Sequence, residues 1–120
     1  MQLPEIPEAA NGTPDGLTPA VLMAAEMLGL YRAELARILG LKCEQIGALA
    51  NARSLLEPGS LAWVRASDFV RLYQALYRRF GGAETGMCHW LRVVHPALGT
   101  TPLLAMVDEG RLDAVLKLAS

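Results

Sequence analysis

Apolar positions recur at helical spacing along most of the chain. After Thr18-Pro19, residues Val21, Ala24, Ala25 and Leu28 fall at i, i+3, i+4 and i+7, predicting a helix with Thr18 as N-cap, Pro19 in its first turn and Gly29 as its stop. A second helix is expected from about Arg32 to Leu39, burying Leu35, Ile38 and Leu39 before Gly40. A third covers about Glu44 to Leu55 and buries Ile46, Leu49 and Ala50. Glu57-Pro58-Gly59-Ser60 then breaks the chain ahead of a long fourth helix with the stripe Phe69, Leu72, Tyr73, Leu76 and Phe80. Gly81-Gly82 ends it and is the best candidate for a domain boundary. Met87, Trp90, Leu91 and Val94 repeat the pattern up to Pro96, Thr101-Pro102 opens a short sixth helix, and Asp108 caps a seventh burying Leu112, Val115, Leu116 and Ala119. No window alternates with period two, so the expected fold is all-α with about seven helices and no strands.

Residues 1–17 lack periodicity and carry Pro4, Pro7, Pro14, Gly12 and Gly16, which reads as a flexible arm. Composition changes the picture in one respect. The 120 residues are 52% apolar with mean hydropathy +0.27, yet the longest apolar run, Ala20 to Ala25, is far short of the roughly 18 residues that span a membrane. No membrane association is expected, and an acidic, proline-broken start without a signal-like segment makes a cytoplasmic location the expectation. So much apolar surface in a small chain implies that some of it is covered by another molecule. Trp63, Val70 and Tyr77 fall at seven-residue spacing outside the main stripe of the fourth helix, and are the expected self-association face of a homodimer. Cys43 and Cys88 have no zinc-type pairing and read as reduced packing thiols.

The net charge of −1 hides an uneven distribution. Residues 1–30 have four acids and no base, residues 31–79 eight bases and four acids, and residues 80–120 three bases and four acids. The middle third is the candidate nucleic-acid surface. Between Arg32 and Asn51 its pattern matches a helix-turn-helix unit: apolar Leu35, small Ala36, apolar Leu39, Gly40, Leu41, then Ile46 and Leu49. Ala36 is small because the second helix crosses over it, and Gly40 permits the tight turn. An ordinary αα-corner needs fewer of these features. Facing a major groove would be Lys42, Cys43, Glu44, Gly47, Ala48 and Asn51. Lys42, Gln45 and Asn51 are the candidate base readers, with Arg32, Arg37 and Arg53 as backbone contacts. This set positions a helix on DNA better than it reads sequence, and a helix-turn-helix kept only for packing or dimerisation is the competing reading.

Further along, Trp90-Leu91, Pro96-Ala97-Leu98-Gly99, Thr101-Pro102-Leu103, Glu109-Gly110 and the Val115–Leu118 stretch occur in order. This series resembles the toxin-binding domain of the Xre/MbcA/ParS antitoxins, over roughly residues 68–120. His95 stands where the family usually has asparagine, and the Gly99-Thr100 link is shorter than usual. The resemblance implies a helix-turn-helix subdomain over 18–66, a toxin-binding domain over 67–120, and an antitoxin of a type II toxin-antitoxin system. It further implies a partner toxin of RES or related ADP-ribosyltransferase-like type, whose NAD site the antitoxin closes off sterically, and repression of its own operon. Trp90, Leu91, Leu98, Leu103, Leu112, Val115 and Leu116 sit on apolar stripes and are framework. Candidate toxin contacts are Arg92, His95, Thr100, Asp108, Arg111, Lys117, Leu118, Ala119 and Ser120, Arg92 and Arg111 first among them because a guanidinium fork matches carboxylates. Each could equally be a solvated surface group.

Two rival classes remain. A DNA-binding regulator without a toxin partner fits the helix-turn-helix alone. An enzyme could draw on Cys88, His89, His95 and Asp108, but adjacent helical residues point about 100° apart, and no glycine-rich elbow or metal-ligand spacing accompanies them. No catalytic residue, metal or cofactor is expected.

Overall fold

A computed structural model describes all 120 residues. It is all-helical, with seven α-helices and no strands. The helices are α1 (Pro14–Met27), α2 (Arg32–Leu39), α3 (Cys43–Ala50), α4 (Leu61–Phe80), α5 (Glu84–Trp90), α6 (Pro102–Val107) and α7 (Leu112–Ala119), preceded by a 3-10 turn over Glu8–Gly12.

The long α4 is the axis of the molecule. Phe69, Val70, Leu72, Tyr73 and Leu76 on it are fully buried, because α1 and α7 pack along it while α2 and α5 cover its flanks. Burial on several sides overturns the expected self-association face. Val70 is inaccessible, and Trp63 and Tyr77 are partly buried against the same core. A single cluster of 32 buried apolar residues runs from Leu3 to Ala119. The radius of gyration, 13.3 Å, matches the roughly 13.6 Å expected of one compact unit of this length. The expected divisions at 66/67 and at Gly81-Gly82 therefore fall inside one packed body, the first of them within α4 itself.

The N-terminal segment is not an arm. Leu3 and Ile6 are 2% and 3% exposed. Leu3 N–H donates to the Gly82 carbonyl at 2.8 Å and Glu84 N–H to the Met1 carbonyl at 3.0 Å. Tyr73 and Gln74 of α4 donate to the Pro4 and Ile6 carbonyls. Each anchor precedes a proline, which holds the preceding residue extended, so the segment is a strap with two apolar pegs. Such a segment has no helical period to detect. The Tyr73 phenol is pushed up to about 12, chiefly by burial and further by Tyr77 and Cys88.

Helix α1 also begins earlier than the spacing predicts. Thr13, not Thr18, is the N-cap, its hydroxyl accepting from Gly16 N–H at 3.1 Å, with Pro14 in the first turn. The same Thr-Pro signal occurs twice, and tertiary contacts choose between the copies. Thr18 is buried inside α1, where its hydroxyl accepts from Leu56 N–H at 3.0 Å and ties the loop before α4 to α1. Asp108 likewise is the C-cap of α6 rather than the start of α7, whose N-cap position is Arg111.

Candidate functional site

Helices α2 and α3 are joined by Gly40, Leu41 and Lys42. Gly40 adopts φ +74°, its N–H donates to the Arg37 carbonyl and Leu41 N–H reaches back to Ala36, which closes the last turn of α2. The Arg65 guanidinium lies against Gly40, with Nη1 2.6 Å from where a Cβ would stand, but that flexible end can move aside, so it is the positive φ that favours glycine here. Leu35, Ala36, Leu39, Ile46 and Leu49 are all buried and Leu41 is partly buried. The pattern found in the sequence therefore folds as a packed helix–turn–helix pair. Each helix starts alike: Glu34 accepts from Tyr31 N–H and Gln45 from Lys42 N–H, both at 2.8 Å. At the far end of α3, Ala52 takes the left-handed conformation with φ +58°, and Arg53 N–H closes onto Ala48.

The expected DNA-contacting residues divide accordingly. Lys42, Asn51, Arg53 and Arg32 are exposed and none of the three basic side chains has an ionic partner. Gln45 is exposed, but its carbonyl oxygen is committed to capping α3 and only its amide nitrogen remains free. Arg37 pairs with Asp108 at 3.3 Å, joining a residue expected on DNA to one expected on a toxin. Both side chains are more than half exposed, so the pair contributes little stability.

At the other end of the chain the motif residues lock into one corner. Leu103 N–H donates to the Leu91 carbonyl at 3.0 Å, and His95 N–H donates to the Thr100 carbonyl at 3.1 Å. The His95 ring lies 4.8 Å from the Trp90 ring, with Nε2 3.3 Å from the Trp90 carbonyl oxygen. Arg79 of α4 sits over the same indole, 5.9 Å from its centre.

The two arginines expected to reach a partner are tied to backbone carbonyls, although Arg92 stays exposed and Arg111 partly so. Arg92 donates to the carbonyls of Cys88, Leu28 and Gly29 at 2.9, 3.0 and 3.2 Å, clamping α5 to the C-terminus of α1, where a cation is favoured by the helix dipole. Gly29 gives room for this, since a Cβ there would stand 3.1 Å from Arg92 Nη2. Arg111 donates to the Leu98 carbonyl and to Glu109, each at 3.0 Å. Arg92 spends both terminal nitrogens on these carbonyls, whereas Arg111 uses Nη1 alone and its Nε–Nη2 edge remains free. Thr100 is half-buried at the corner, and Lys117 and Ser120 are exposed, the Ser120 hydroxyl donating to the Leu116 carbonyl. Leu118 and Ala119 belong to the packed side of α7, Ala119 buried and Leu118 packed against the core.

Apolar groups are what the corner leaves outside. Val94, expected on a buried stripe, is 61% exposed because α5 ends at Trp90 and the helical register stops before it; Val93 and Leu104 are also exposed. A helix ended by Pro96 alone would have kept Val94 in register, and no residue between Trp90 and Val94 signals the earlier stop.

The residues considered for catalysis do not converge. Cys88 Sγ donates to the Met27 carbonyl at 3.6 Å, whereas His89 is exposed and His95 is held on Trp90. Burial pushes the Cys88 thiol up and outweighs the opposing effect of Arg92, with Glu84 raising it further, so the thiol stays protonated. Neither protein-family models nor curated proteins yield a match to this chain.

Proposed function

We propose that the chain is the antitoxin of a type II toxin-antitoxin pair, with α2 and α3 contacting operator DNA and the α5–α7 corner docking on a RES-like or related ADP-ribosyltransferase-like toxin to close off its NAD site. One observation carries this reading. Residues of the series that resembles the Xre/MbcA/ParS toxin-binding domain meet at one corner, where Leu103 N–H donates to the Leu91 carbonyl and Arg111 donates to the Leu98 carbonyl. The exposed Val93, Val94 and Leu104 beside this corner supply the apolar surface a protein partner would cover.

Co-expression with the toxin encoded by the adjoining reading frame tests the reading. The wild-type chain should restore growth and co-purify with the toxin, and Val94→Asp, at an exposed position, should lose both while keeping its helical circular dichroism. Persistent growth inhibition by the toxin alongside the folded wild-type chain would sink the proposal. The helix-turn-helix pair also fits a DNA-binding regulator without a toxin partner, which predicts operator binding and no effect on any neighbouring gene product.

A further inference from the structure

A cleft of about 450 Å³ lies between the 3-10 turn, α4 and the end of α7. Its volume suits a small molecule, but its walls are polar, and Leu116 is the one apolar residue among them. Glu8 and Asn11 of the 3-10 turn, Arg71, Gln74 and Arg78 of α4, and Ser120 after α7 complete the lining. No residue of the helix-turn-helix pair contributes, and of the expected toxin contacts only Ser120 does.

Hydrogen bonds already made within the chain decide what these groups have left to offer. Gln74 is 6% exposed and spends an amide N–H on the Ile6 carbonyl at 3.0 Å, so its oxygen is the free acceptor. The Asn11 side-chain oxygen is shut off from solvent and accepts from no donor, which costs free energy until one reaches it. Ser120 gives its hydroxyl proton to the Leu116 carbonyl and keeps its lone pairs. Glu8 and Arg78 take part in none of the three ion pairs of the chain, while Arg71 pairs with Asp68 through Nη1 at 3.0 Å and keeps its other nitrogens. The charges balance: Arg71 and Arg78 against Asp68 and Glu8. The hollows on either side add Glu5 and Arg79, again one of each sign. A phosphate in this cleft meets a carboxylate, and a diamine meets two guanidinium groups. A small molecule with both charges and no net charge meets a partner at each end. We propose that the cleft binds a free α-amino acid with an uncharged polar side chain. Its carboxylate sits on Arg78 and Arg71, and its ammonium gives one N–H each to Glu8, Asn11 and Gln74. The bound molecule joins the 3-10 turn to α4 and stabilises the folded chain. The site does not depend on whether the chain neutralises a toxin.

Calorimetric titration of the full chain with L-serine, L-threonine, L-asparagine and L-glutamine tests this. At least one should bind saturably with Kd below about 1 mM and raise the thermal unfolding midpoint. Its N-acetyl form, without the ammonium, and its methyl ester, without the carboxylate, should each bind about tenfold more weakly or worse. Glu8→Gln and Arg78→Gln, both at exposed positions, should lower the affinity by about tenfold or more with unchanged circular dichroism. Lys117→Gln, outside the cleft, should leave it as it is. Binding by none of the four amino acids, tighter binding of inorganic phosphate or putrescine, or an affinity indifferent to Glu8→Gln and Arg78→Gln would each overturn the proposal.

Discussion

The helix-turn-helix pair and the C-terminal corner use their charged side chains in opposite ways. Around α2 and α3, Arg32, Lys42 and Arg53 stand in solvent without partners, while the apolar residues between them are buried. Around α5–α7 the arginines are drawn onto backbone carbonyls, Arg92 onto Cys88, Leu28 and Gly29, Arg111 onto Leu98. There valine and leucine also remain outside, beside exposed polar groups such as Lys117. The contrast has a local cause. Helix α3 begins and ends with its own backbone closures, through Gln45 at one end and the Ala52 turn at the other. At the corner the end of α1, the last turn of α5 and the irregular stretch between Trp90 and Pro102 leave carbonyls outside any helix ladder or at its end, and the long side chains of Arg92 and Arg111 bring donors to them. The first region exposes unpaired charge together with Leu55, Leu61 and Val64, and the second exposes Val93, Val94 and Leu104 beside arginines tied to the backbone.

If this contrast is right, inward polar groups carry stability and outward ones carry binding. The largest expected effect is at Tyr73, turned inward beneath the N-terminal strap. Below pH 10 the phenol is neutral in folded and unfolded chains alike. As pH rises from 10 toward 12 the unfolded chain loses the proton and the folded chain keeps it, so stability should fall by about 2–3 kcal/mol over that window. Denaturant titrations at pH 9 and pH 12 would show this, and Tyr73→Phe should flatten the alkaline slope while losing the bond to Pro4. An unchanged slope in that variant would break the assignment.

Next comes Arg92. Arg92→Ala removes three charge-assisted bonds at the junction of α1 and α5 and should cost about 1–2 kcal/mol by the same titration. If Arg92 were instead a partner contact, the substitution would leave stability untouched and abolish co-purification with the toxin.

Smallest in stability is Lys42. Lys42→Glu should change unfolding by less than about 0.5 kcal/mol, because the side chain is exposed and only its backbone N–H is used in capping. It should nevertheless weaken binding to DNA from upstream of the gene, lower the salt dependence, and leave growth rescue intact. Loss of rescue with the helical spectrum preserved would erase the proposed division between the two regions.

Much of this architecture is legible along the chain, because a 3.6-residue apolar period and glycine stops are local properties. They locate all seven helices and the α2–α3 pair, including Ala36 as the small residue beneath the crossing and Gly40 at the turn, although α3 stops at Ala50 where the spacing predicts a helix to about Leu55, because Ala52 turns left-handed. Local signals fail where two candidates have equal strength or where the pattern is not helical. Thr13-Pro14 and Thr18-Pro19 look alike as helix starts, and it is the Thr18 hydroxyl meeting Leu56 N–H that buries the second. Leu3 and Ile6 carry no period, yet a groove on α4 holds them.

Exposure of the candidate site residues depended on the tertiary structure altogether. Arg92, Arg111, Val70 and Val94 each have a definite place in the helical pattern, but whether a side chain at that place meets solvent, a carbonyl or a neighbouring helix depends on elements distant in sequence. Spacing determines which residues share a face. Packing determines what that face meets, because burial is a property of all the surrounding elements together.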